Sequence, residues 1–177
     1  IEGEAESVLD SDATEKGQAT ARSLAPNVII SDNSDDIFGD DQIHGIVLAT
    51  PAETHADLAI QAMRAGKDVF VEKPMALSIS DAEAMQSVAQ ETEHILMVGH
   101  LLEYHPVVLK LRELIDSGEL GKINYVYSNR LNFGKVRSEE NVLWSFAPHD
   151  VAVILRLLRK SPIEVSASGG AYLTHNI

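Results

Sequence analysis

Lys73 stands at the mouth of an apolar run. Val69-Phe70-Val71 leads into Glu72-Lys73-Pro74, and proline restricts the backbone of the residue before it, so the lysine is held in position. A lysine held in this way can give or take a proton, with Glu72 to orient it. The plainer reading is an exposed lysine in a turn. His149-Asp150 is a second candidate. Histidine is the usual acid–base residue near neutral pH, although a lone one also serves structure. His100, His105 and His149 can be drawn together around a metal, but no compact motif with metal-ligand spacing is present. Arg130, Asn132, Lys135 and Arg137 cluster in an otherwise acidic chain. They suit a carboxylate or diphosphate, or form a solvated loop. Trp144 offers a wall for a ring, or ordinary packing.

These residues need elements to hold them. Strand and helix patterns alternate: 3–10 as a strand ending in Asp10, 13–24 as a helix, 44–50 as a buried β-branched strand, and 54–66 as a helix capped by Thr54 and stopped by Gly66. Next come a buried strand at 68–72, a helix at 78–91 with Ser80 and Glu83 in capping-box spacing, and a buried strand at 94–99. Ser31 to Asp41 reads as a solvated loop or short helix. Short connections and apolar strands predict an α/β parallel sheet with helices on both faces.

From Gly99 the texture changes. The sequence predicts an amphipathic helix at 105–121, a half-exposed strand at 122–131, an irregular polar stretch at 132–150, a helix at 151–160 and a strand at 163–173. The domain boundary falls at 103/104. The first domain begins without a leading strand and glycine-rich turn, and no G-x-G-x-x-G occurs. The second domain stops after what reads as its second strand. Both are therefore expected to be incomplete, and a diphosphate cradle is expected outside these residues.

Ligands of open parallel sheets bind at the carboxyl ends of the strands. Asp10, Thr50-Pro51, Glu72-Lys73-Pro74 and Gly99-His100 occupy such ends. Asp10 is either an acid for the adenosine ribose hydroxyls, which disfavours a 2′-phosphate, or an ordinary loop acid. Thr50-Pro51 either opens a helix toward a cofactor or forms a simple turn.

The formal net charge is −13, from 27 acids against 14 bases. An acidic surface repels a phosphate backbone, so nucleic acid is not an expected partner. With no cysteine, disulfides and thiolate metal sites are excluded. No apolar stretch approaches the length of about 20 residues that a membrane span needs. A soluble, cytoplasmic protein with no membrane partner is the expectation.

The ordered set "ATPAETH", "VEKP", "VGH…HP" and "HD" resembles the glucose-fructose oxidoreductase / inositol dehydrogenase / MocA (Gfo/Idh/MocA) family. The likeness covers nearly the whole chain and is densest from Gly45 to Pro106. It implies a Rossmann domain (1–103) for NAD, with NADP less expected. It also implies an α+β domain (104–177) with an open, mainly antiparallel sheet for substrate and oligomer contacts. Carried across, Lys73 and His149 are the acid–base pair. Asp10, Thr50, Pro51, His55, Glu72, Lys73 and Pro74 line the cofactor cleft, and Pro74 follows a cis peptide bond. The 132–150 stretch resembles members acting at C3 of nucleotide-linked sugars such as UDP-N-acetylglucosamine or its uronic acid. There Arg137, Asn141, Trp144 and His149 hold substrate. Many members carry an aspartate four residues before the histidine; here it is Ser145. The resemblance implies a homo-oligomeric dehydrogenase of a sugar hydroxyl. A non-catalytic dinucleotide-binding module on the same fold is the alternative. A third reading has bound NAD reduced and reoxidised within one cycle.

Overall fold

The computed structural model describes residues 6–7, 9–131 and 142–172. The chain divides into two compact units, Ile1–Val98 and Gly99–Ile177. The first unit is built on parallel strands. Strand β1 (Leu9–Ser11) pairs with β2 (Ile29–Ser31), and a second sheet has the order β3 (Gly45–Leu48), β4 (Asp68–Val71), β5 (Leu96–Val98). In the doubly wound order 3-2-1-4-5-6, β2-β1 takes positions 3-2 and β3-β4-β5 takes positions 4-5-6. Position 1 between them carries no strand among the described residues.

Helix α1 (Glu15–Leu24) joins β1 to β2. Its cap is Thr14, whose hydroxyl accepts from the Gly17 N–H at 3.0 Å. The Asp12 carboxylate accepts from the Thr14 N–H and hydroxyl, both at 2.7 Å. A Cβ at position 17 would fall 1.8 Å from that carboxylate, so a side chain there would displace it. The acidic stretch holds the short helix α2 (Asp35–Phe38). Strand β2 itself was not anticipated; its signal is the apolar triplet Val28-Ile29-Ile30 between two polar stretches.

Helices α3 (His55–Arg64) and α4 (Ile79–Thr92) bring Ala59, Ala62, Met63, Met85 and Val88 against Ile46, Leu48, Val69 and Val71. These side chains are one contiguous buried core. On the opposite face of this sheet Val47 is 70% exposed and Met97 37%. Consecutive right-handed crossovers put successive helices on one side of a sheet, so α3 and α4 share a face.

Gly66 stops α3 as expected, at φ +81°, a backbone conformation that glycine takes without strain. Lys67 follows, 3% exposed, and its Nζ donates to the Asp40 carbonyl at 2.6 Å. Two expected caps are corrected. Thr54 has no cap bond, because a 3₁₀ turn (Ala52–Thr54) runs straight into α3. Helix α4 is capped by Ser78, in extended conformation, accepting from the Asp81 N–H at 3.1 Å; Ser80 already lies inside the helix.

In the second unit, α5 (Pro106–Asp116) is capped by His105, whose Nδ1 accepts from the Val107 N–H at 3.2 Å. Helix α6 runs Val142–Leu158, so it begins well before the expected residue 151 and includes His149. The stretch read as irregular because of its polar groups; proline at 148 offers no N–H to the helical ladder, and the apolar residues on either side carry the helix through. Arg112 of α5, 9% exposed, donates to the Arg156 and Leu157 carbonyls at 2.7 and 2.8 Å and pairs with Asp116. It thus meets orphan carbonyls at the end of α6.

The strands expected at 122–131 and 163–173 do not form among the described residues. Alternation alone does not make a strand without a ladder partner, and Tyr125 and Tyr127 stand 79% and 75% exposed. The antiparallel sheet of the second domain is accordingly absent from the described residues. No helix among the described residues is long and apolar enough to cross a membrane.

Ser78→Ala is expected to cost about 1 kcal/mol of stability, and Ser80→Ala less than about 0.5 kcal/mol. Urea unfolding of the two variants checks which serine caps α4.

Candidate functional site

Parallel strands deliver their carboxyl ends to one edge of a sheet. Three of the four anticipated ends lie in the first unit. Asp10 was expected to end its strand and sits one residue before the end of β1, its side chain exposed and with no hydrogen-bond partner among the described residues. Its neighbour Asp12 is already committed to Thr14, whose hydroxyl and N–H hold its carboxyl below the usual value. The two acids therefore differ: Asp12 is bonded to the capping Thr14, and the Asp10 carboxylate has no hydrogen-bond partner among the described residues.

The ends of β3 and β4 come together. Their ladder closes with the Glu72 N–H donating to the Leu48 carbonyl at 2.9 Å. After β3, the Thr54 hydroxyl donates to the Pro51 carbonyl at 2.8 Å and shares a 2.7 Å hydrogen bond with the Thr50 hydroxyl. After β4, the Glu72 carboxylate accepts the Lys73 N–H at 3.2 Å. Glu72 thus braces the lysine's main chain. The Lys73–Pro74 bond is cis, as the resemblance implied. His55 lies between the two turns, 1% exposed, with Nδ1 2.9 Å from the Pro74 carbonyl and Nε2 2.9 Å from the Thr50 carbonyl. Its ring nitrogens face main-chain oxygens, not open cleft. Thr50, Pro51, His55, Glu72, Lys73 and Pro74 are in this way one local constellation.

In the second unit, Ser145 and His149 are four residues apart on α6, hence on one face of the helix. Trp144 is 40% exposed. Asp150 accepts from Ser128 Oγ at 2.9 Å and from Arg130 Nε and Nη2 at 2.7 and 3.3 Å. Arg130 is thus engaged by an acid of its own chain, and Asp150 serves the side chains at 128 and 130. Neither partner was legible, because residues 20 positions apart on different elements share no sequence pattern. Asn132, Lys135, Arg137 and Asn141 lie outside the described residues. His100 follows β5, and its Nδ1 is buried without a hydrogen-bond partner among the described residues. His105 is spent on the α5 cap, and no group of metal-ligating side chains gathers among the described residues.

Residues 3–100 match the Gfo/Idh/MocA family, described as an oxidoreductase family with an NAD-binding Rossmann fold. The chain belongs to that family. A Gfo/Idh/MocA relative from Mediterraneibacter gnavus, 2,7-anhydro-N-acetylneuraminate hydratase, is 29% identical over 88% of this chain and 44% of its own length. UDP-N-acetylglucosamine 3-dehydrogenase of Acidithiobacillus ferrooxidans is 32% identical over 75% of this chain and 42% of its own. The crystal structure of myo-inositol 2-dehydrogenase from Lactobacillus plantarum superposes with a TM-score of 0.61 at 25% identity, over 66% of this chain and 34% of that one. The chain spans less than half the length of these Gfo/Idh/MocA relatives.

The Asp150 carboxyl is held below its usual value first by the Arg130 hydrogen bond, opposed by burial and helped by Ser128. A depressed folded value means that the stabilisation is fully present above the unfolded value, about 3.9. It is lost as pH falls through the folded value. Below about pH 4 the protein is therefore expected to lose stability faster than its Asp150→Asn variant, which urea midpoints across the acid range measure.

Proposed function

We propose that this protein is an NAD-dependent oxidoreductase that oxidises a hydroxyl on a sugar, in particular a nucleotide-linked sugar. The observation that carries the reading is Lys73, placed at the carboxyl end of β4 in a turn bonded to the turn after β3. The residues present fit two ends of a dinucleotide. Asp10, with both carboxylate oxygens open, suits the adenosine ribose hydroxyls and opposes a 2′-phosphate, which favours NAD over NADP. The turns at Thr50-Pro51 and Glu72-Lys73-Pro74 suit the nicotinamide end.

Bound NAD supplies the acceptor for a hydride from the carbinol carbon. Lys73 takes the hydroxyl proton, and His149 is the second acid–base group, from the 104–177 domain. Ser145 stands where many relatives have aspartate, so the work falls on Lys73 and His149 without a third acid. Arg137, Asn141 and Trp144 are the proposed substrate contacts. The nucleotide-sugar assignment draws support from the relative named UDP-N-acetylglucosamine 3-dehydrogenase.

A second reading has one specific observation behind it. The Mediterraneibacter gnavus relative is named a hydratase, not a dehydrogenase. Under this reading the same residues serve a cycle in which NAD is reduced and reoxidised on one substrate, with no net reduced cofactor released.

In the complete protein, Lys73→Ala is expected to lower kcat by about 10²- to 10⁴-fold, while the NAD dissociation constant stays within about threefold, half a unit of log affinity. Fluorescence titration and cofactor absorbance on a panel of UDP-sugars measure both; a Lys73→Ala variant with near-normal turnover removes the assignment. Asp10→Ser is expected to improve NADP relative to NAD by about tenfold, the worth of one charge repulsion of ~1.4 kcal/mol. Tightly bound cofactor that cycles without net reduction selects the second reading.

A further inference from the structure

We propose that His55 is the positioning residue of this site, a strap across the two strand-end turns that keeps Lys73 where it can act. This rests on the reading of Lys73 as the proton-moving group. The ladder between β3 and β4 ends at the bond from Glu72 to Leu48. Beyond it, among the described residues, no main-chain hydrogen bond joins residues 49–54 to residues 73–78. His55 supplies the missing connection, with one ring nitrogen 2.9 Å from the Thr50 carbonyl and the other 2.9 Å from the Pro74 carbonyl. One carbonyl precedes Pro51 and the other belongs to the residue after Lys73, so the ring lies within hydrogen-bond distance of both candidate cofactor-cleft turns and donates to at least one of them.

Packing alone does not call for an imidazole here. His55 is 1% exposed, among core side chains such as Ala59, Met63 and Val71 that carry no polar side-chain atom except sulfur. A polar ring in such a place costs stability unless its nitrogens are bonded. A neutral ring donates to one of the two carbonyls and an imidazolium to both. An aliphatic side chain fills the volume and leaves both carbonyls unmet. The helix start sets the geometry: the 3₁₀ turn Ala52–Thr54 runs into α3, and His55 is its first residue, so the strap hangs from a rigid element. Loosening a group that must sit within about 1 Å of its working position costs up to 10²-fold in rate.

The test compares the complete wild-type protein with His55→Leu, which has no donor, His55→Asn, a shorter donor that cannot span both carbonyls, and Lys73→Ala. Amide hydrogen exchange is read at 72–77 and, as a control, across α4. Expected is exchange at 72–77 about tenfold faster in His55→Leu and intermediate in His55→Asn, with α4 unchanged. Turnover per folded molecule is expected to fall by about tenfold to a hundredfold, in the same order, with substrate KM little moved. A role in stability alone would lower the melting temperature and leave kcat per folded molecule intact. Should His55→Leu fail to fold, His55→Asn carries the comparison. Wild-type protection at 72–77 in His55→Asn, or kcat per folded molecule within about twofold of wild type, overturns the strap. A fully active Lys73→Ala removes the proposed chemistry instead, and the exchange data still decide the strap by themselves.

Discussion

Parallel pairing of β3 with β4 is the constraint from which the rest of the first unit follows. Parallel strands cannot be joined by a tight turn, so a helix must return the chain between them. That helix, α3, buries Ala59, Ala62 and Met63 on the sheet and begins with His55 beside the turns it bonds. The same geometry brings both carboxyl ends to one edge. Thr50 and Lys73 are far apart in sequence and close in space because Leu48 pairs with Val71. Slipping that register by one residue would send Val69 and Val71 out of the core and turn the β4 end away.

The polar groups of this chain fall into those already spent and those still open. Asp12 is spent on α1, Arg112 on the last carbonyls of α6, Lys67 on the Asp40 carbonyl, and Asp150 on Ser128 and Arg130. Each bond meets a group that would otherwise be costly to bury or to leave at a helix end. The Asp10 carboxylate, inside β1, has no hydrogen-bond partner among the described residues.

Much of the first unit was legible because its signals are local. Val69-Phe70-Val71 is a short apolar run, Gly66 ends a periodic apolar stretch, and residues 13–24 have helical character. The misreadings have physical causes of the same kind. Ser80 and Glu83 have capping-box spacing, yet Ser78 is the last extended residue and takes the cap. Residues 132–150 read as an irregular polar stretch, yet α6 begins at Val142 and continues through Pro148. Residues 122–131 alternate like a strand, but alternation does not supply a partner strand.

The sequence by itself determined the parallel α/β class of the first unit, the family, and the strand ends at which to look, since hydrophobic period and short motifs are properties of neighbouring residues. Which arginine is engaged, and that the His55 ring reaches both turns, were decided only by tertiary structure. Those facts depend on hydrogen bonds between residues 19 and 20 positions apart, as in His55 to Pro74 and Arg130 to Asp150. No local spacing encodes such a bond; it exists only once the strands and helices have brought the two atoms within reach of each other.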